Sequence, residues 1–195
     1  MTDVRPRTGA VVQGISSGLT AMAIFTPVYA LWPVFAWPLQ GGAFFAAALA
    51  YSIFLALRAR SLLVLSRTMP FKPNAFDKRL TKWIGIISSI QGILILVSTV
   101  VLVLLGLSTW ILPTVALIVA LHFFPMPALF SRTIDYYLGG GMLLVAVLGL
   151  HLAGQAVDWR ITWGVTGIGS ALVTSSYGIY MVLTARAALR AHPLG

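Results

Sequence analysis

The chain has 195 residues, of which 59% are hydrophobic and only 9% charged, and its mean hydropathy of +0.95 is that of a chain which water does not disperse. This excludes a soluble globular domain and puts the chain in a bilayer. The net charge of +9 comes from basic residues set between long apolar runs rather than along one solvated face, which argues against nucleic acid and for anionic lipid headgroups as partners.

Six apolar segments, each near the ~20 residues needed to cross a ~30 Å hydrocarbon core as a helix, are expected at 10–35, 42–60, 84–106, 110–131, 134–156 and 162–185. Backbone amides in lipid must be satisfied within their own segment, and these runs lack the alternation of barrel strands, so each is a helix. The predicted fold is all-α: a single polytopic transmembrane domain over 1–195, its six helices arranged as three hairpins.

The first segment follows Arg5 and Arg7, and Ala21-Met22-Ala23 has the look of a signal cleavage site; the apolar run continues through Phe35, so it reads as a retained helix. It opens with "QGISSG", in which Gly14-Ile15-Ser16-Ser17-Gly18 matches the G-x-S-x-G of serine hydrolases. A nucleophile elbow needs a strand-to-helix turn and a nearby base, and Ser16 has neither in the first turns of a membrane helix. The spacing of Gly14 and Gly18, with Ser17 and Ala21 on the same face, predicts close helix packing instead.

The second segment, with Ala46 and Ala50, leads into a basic loop expected at about 61–83, inside "RSLLVLSRTMPFKPNAFDKRLTK". The third carries a small-residue face of Gly85, Ser88, Ser89 and Gly92 beside Gln91, predicted to pack as the first segment does. In the fourth, "LHFFPMPALF" places His122 beside two prolines, and Pro125 and Pro127 cannot donate to the carbonyls of Leu121 and Phe123. A kinked helix with an imidazole at the same level predicts a polar spot at membrane depth. The fifth opens on Asp135, Tyr136 and Tyr137, where Asp135 is read as a helix N-terminal charge pairing with Arg132. It continues through Gly139 to Gly141 and ends near His151, read as an interfacial or packed histidine. The sixth holds Gly164, Gly167, Ser170 and Ala171, then Ser175, Ser176, Tyr177 and Tyr180.

Orientation follows from the basic residues. With six spans and both termini inside, Arg5, Arg7, Arg58, Arg60, Arg67, Lys72, Lys78, Arg79, Lys82, Arg132, Arg186 and Arg190 share the cytoplasmic side and Arg160 alone falls opposite. Trp37, Trp110, Trp159 and Trp163 mark the other interface. The expected location is a plasma membrane of the bacterial inner-membrane type.

Cysteine is absent, which removes disulfides, thiolate metal sites and cysteine nucleophiles, and the acidic residues are four aspartates with no glutamate. No zinc-type cluster stands out, and His122 and His151 lie at depths differing by roughly 10 Å, against a bis-histidine haem. No metal, cofactor or catalytic residue is therefore assigned. The leading expectation is a bundle that binds or passes an uncharged or weakly polar, lipid-like small molecule, with His122, Ser88, Gln91, Tyr136 and Tyr177 as its ligand-binding residues. The alternative is a non-catalytic membrane scaffold or accessory subunit that pairs with itself or with a partner subunit, and an intramembrane enzyme comes third.

Overall fold

A computed structural model describes residues 8–68, 75–130 and 133–191, and all their regular structure is helical. Six stretches among them are long and apolar enough to cross a membrane, so the chain is all-α and of multi-pass membrane type. Helix α1 (Thr8–Ala30) turns through Leu31 and Trp32 into the short α2 (Pro33–Ala36), and α3 runs from Pro38 to Thr68. Two prolines set this corner. Pro33 fills a first helical position that needs no amide donor, and Pro38 forces Trp37 out of the helical region, to φ −135° and ψ 84°.

Helix α3 has 31 residues, about 46 Å at 1.5 Å per residue, longer than the ~30 Å hydrocarbon core. The expected loop at about 61–83 is therefore corrected. Residues 61–68 continue α3, and α4 (Ala75–Leu104) starts well before residue 84. Neither flank contains glycine or proline to stop a helix, whereas Pro70 and Pro73 fall in the interval between, outside the described residues. Arg5, Arg7, Lys72 and Arg132 also lie outside them.

Helix α4 ends in a Schellman turn. Gly106 takes φ +70°, its amide donates to the Val103 carbonyl at 3.0 Å, and the Leu107 amide donates to Leu102 at 2.8 Å. A 3-10 turn at Ser108–Trp110 leads to α5 (Ile111–Phe123) and the short α6 (Met126–Phe130). The fourth span is thus broken at Phe124 and Pro125, as the two prolines require. The Leu121 carbonyl, which Pro125 cannot serve, accepts from the Phe124 amide at 3.4 Å. Helix α7 (Ile134–Gly154) closes with the same turn as α4, with Ala156 at φ 53° in the glycine position. Asp158 then caps α8 (Trp159–Ala191) by accepting the Arg160 amide on Oδ1 at 2.8 Å.

Helix α8 is the centre of the bundle. It packs along α1 on one side and α7 on another and touches α2, α3 and α5, while α1 lies along α3 and α5 along α7. Neighbours in sequence do touch, yet the α1–α8 and α5–α7 seams tie together helices from different expected hairpins. These seams use small residues for close approach. A Cβ on Gly167 would lie 2.6 Å from the Tyr29 carbonyl oxygen of α1, and one on Gly139 of α7 would lie 3.3 Å from the Ala120 carbonyl oxygen of α5.

The "QGISSG" face is corrected in detail. Val12, Ile15, Ser16 and Leu19 are the buried side of α1, and the Ser16 hydroxyl donates to the Ala59 carbonyl of α3 at 2.8 Å. Ser17 is exposed and bonds back to Gln13, and a Cβ on Gly14 would meet nothing within 4 Å, although one on Gly18 would strike Met181. Ala46 and Ala50 likewise face outward, because the bundle side of α3 is Ser52, Leu55, Ala59 and Leu62. Helix α4 stands apart. It packs chiefly on α5, and none of its most apolar window is buried.

Candidate functional site

At the basic end, α5, α7 and α8 converge on the carboxyl group of Asp135. The residue sits in the first turn of α7, is 0% exposed, and accepts on Oδ1 a 2.9 Å hydrogen bond from the Tyr177 hydroxyl of α8. The bond gives the buried carboxyl group a partner in place of water, and the N-terminal turn of a helix is where a carboxyl group is best placed. The Tyr177 ring is buried as well. Phe123, the last residue of α5, meets it edge to face at 6.0 Å, and Tyr180 stacks on it at 6.3 Å with an interplanar angle of 6°.

The five expected ligand residues are not gathered here. Tyr177 belongs to the centre. His122 is half-buried one ring away, its imidazole edge-on to Phe123 at 5.9 Å and its Nδ1 without a hydrogen-bond partner among the described residues. Tyr136 is 51% exposed and leans on Phe124, about 100° around α7 from Asp135. Ser88 is exposed on α4, and Gln91 is half-buried on the stripe of Ile84, Ile87, Ile95 and Leu102, the side of α4 that is least exposed. The small face of Gly85, Ser88, Ser89 and Gly92 is not turned into the bundle, and Cβ atoms on Gly85 and Gly92 would meet nothing within 4 Å.

A second polar feature runs along α8, where Thr162, Thr166, Ser170 and Thr174 repeat every fourth residue and are all at most 3% exposed. The hydroxyls close on their own helix: Thr166 donates to the Thr162 carbonyl at 2.7 Å and Thr174 to Ser170 at 2.9 Å. Thr26 of α1 donates to the Thr174 hydroxyl at 3.1 Å and joins the row to its neighbour. Such a row carries no charge and has little acid or base capacity. What it offers is polar volume small enough to pack, satisfied at Thr166 and Thr174, while the buried Ser170 hydroxyl has no hydrogen-bond partner among the described residues. Its signal in the sequence was the spacing of four.

Among the described residues no three His, Cys, Asp or Glu side chains gather as they would around a metal ion. Comparison with protein-family models, with curated proteins and with solved structures finds no match to this chain.

Proposed function

We propose that the protein is a non-catalytic membrane scaffold or accessory subunit rather than a conduit through its own bundle. The observation that supports this is the closure of the bundle around α8, where glycines bring backbones into contact and Thr166 and Thr174 bond to their own helix. In this reading α4, attached to the bundle mainly through α5, is the element that meets another membrane helix. The basic ends of the helices lie in the cytoplasm with both termini, the three sequential pairs serve as hairpins, and anionic headgroups gather at Arg58, Arg60, Arg67, Arg79 and Lys82.

The native chain has no cysteine, so single cysteines report directly. Ser88→Cys, on the small face of α4, is expected to cross-link to a second membrane chain in native membranes, and Leu94→Cys, on the opposite face, is not. Equal yields from the two faces, or none from either, would reject the assembly reading. A reporter active only in the cytoplasm, fused after Gly195, is expected to be active.

One observation favours a second reading, in which a weakly polar or lipid-like molecule binds at the basic end. It is the fully buried carboxyl group of Asp135 with its aromatic surround, since ionisable groups in a membrane interior usually serve a function. A photoreactive lipid analogue would then label α5 or α8 near His122 and Tyr177, and labelling would fall in His122→Phe. Labelling spread evenly over the exposed face of α4 would count against this site.

A further inference from the structure

The side of α3 that faces away from the bundle carries a groove near its basic end. Leu55, Ala59 and Leu62 pack into the core with α1 and α8, while Leu57, Arg60, Ser61, Val64 and Leu65 recur at helical spacing on the opposite side of the same turns. These five residues line an open groove of about 590 Å³, within the ~300–1,000 Å³ of clefts that hold small ligands. Leu57 and Val64 are 59% and 56% exposed, and Arg60 and Ser61 are exposed as well.

Depth and chemistry narrow the occupant. Counted from Pro38, α3 covers the ~30 Å hydrocarbon core in about 20 residues, so it leaves the core near Arg58 and holds Arg60 and Ser61 at headgroup level. A free anion there would leave Leu57 and Val64 bare, whereas a lipid covers them. Charge points the same way. Arg58 is held over the Phe54 ring at 5.4 Å, but Arg60 makes no ion pair among the described residues, and Arg67 follows it on the same side of α3. The chain has few carboxylates to set against them: its acidic residues are four aspartates, of which Asp158 is at the tryptophan end and Asp135 is fully buried. A guanidinium pairs with two oxygens of a phosphodiester at once. The Ser61 hydroxyl donates to the Leu57 carbonyl at 2.9 Å, so its oxygen is left only to accept. The ligand must therefore bring a donor beside its phosphate. A hydroxyl fits, while an ammonium group would stand against Arg60 and Arg67.

We propose that the outward groove of α3 binds one phosphatidylglycerol-type lipid, its phosphate on Arg60, its headgroup hydroxyl on Ser61, its acyl chain on Leu57 and its headgroup carbons on Val64. The site rests on the reading that anionic headgroups gather at the basic helix ends, and adds to it one position and one headgroup preference.

The test is native mass spectrometry of the full chain from maltoside micelles, titrated with phosphatidylglycerol, phosphatidylmethanol and phosphatidylethanolamine of identical acyl composition, and with free glycerophosphoglycerol. Phosphatidylglycerol is expected to bind tightest. Arg60→Gln is expected to weaken it and phosphatidylmethanol alike, by about tenfold, and Ser61→Ala to weaken phosphatidylglycerol alone, by about threefold. Arg190→Gln removes the same charge from α8, which meets α3 on the bundle side, and is expected to change neither. Helical circular dichroism unchanged in the variants separates lost binding from lost fold. Equal weakening by Arg60→Gln and Arg190→Gln would overturn the site and leave the general gathering of anionic headgroups standing, whereas phosphatidylethanolamine binding as tightly as phosphatidylglycerol would overturn both. Free glycerophosphoglycerol matching the lipid would overturn the proposal by assigning the groove to a soluble phosphodiester. A dimer that is lost in Arg60→Gln would overturn it by assigning this face to a second copy of the chain.

Discussion

Helices α4 and α8 are both long membrane-spanning candidates, and they take opposite places. α4 has the highest mean hydropathy of the six, yet none of its most apolar window is buried, while α8 has the lowest and 44% of its window is buried. In water the order would be reversed. In lipid an apolar side chain gains little by moving from acyl chains to protein, so burial goes to residues that let helices approach and to polar groups that lipid cannot serve. α8 supplies both, with glycines at 164, 167, 169 and 178 and hydroxyls at 162, 166, 170 and 174. α4 supplies Ile, Leu and Val to the surroundings and keeps a half-buried stripe for α5.

The sharpest way to break this contrast is to add bulk to each helix. Gly167→Leu would drive a side chain into the Tyr29 backbone and is expected to cost about 3 kcal/mol, the upper range for overpacking, and to lower the yield of folded protein. Gly92→Leu on α4 meets open space, and its melting temperature is expected to stay at the wild-type value. If Gly92→Leu unfolds the chain as readily as Gly167→Leu does, α4 is packed where the structure leaves it free.

A smaller effect is expected at the basic end of α8. Tyr177→Phe keeps the ring packing with Phe123 and Tyr180 but removes the hydrogen bond to the buried Asp135 carboxyl group, a loss of about 1.5–3 kcal/mol. The double variant Tyr177→Phe with Asp135→Asn should cost less than the sum of the two single changes, which a double-mutant cycle measured by denaturant unfolding would show. Strict additivity would mean that the two groups do not act as a pair.

The smallest effects concern the turns that end α4 and α7. Both have a left-handed residue in the same position, Gly106 in one and Ala156 in the other. Gly106→Ala is expected to destabilise by about 1 kcal/mol and Ala156→Gly to be neutral or stabilising by a few tenths of that. Opposite signs in thermal unfolding would confirm that the two turns are equivalent, and equal signs would not.

The number of spans and their approximate positions were legible in the sequence, because each depends on local composition summed over ~20 residues. So was the break at Pro125, since a missing amide acts on the same turn. The extra turns of α3 and α4 were hidden by their charge: Arg60 to Arg67 reads as a loop to hydropathy and as a helix to backbone propensity. The rotation of each helix was decided only by tertiary packing. Ser16 and not Ser17 faces α3, Gly18 and not Gly14 meets α8, and Tyr136 and Tyr177, both expected at one site, diverge because α7 turns Asp135 inward and Tyr136 outward. Apolar residues surround the membrane helices on every side, so the sequence contains no strong amphipathic signal for which face is inside. That choice rests on which small and polar groups find one another, and it is made only when all the helices are assembled.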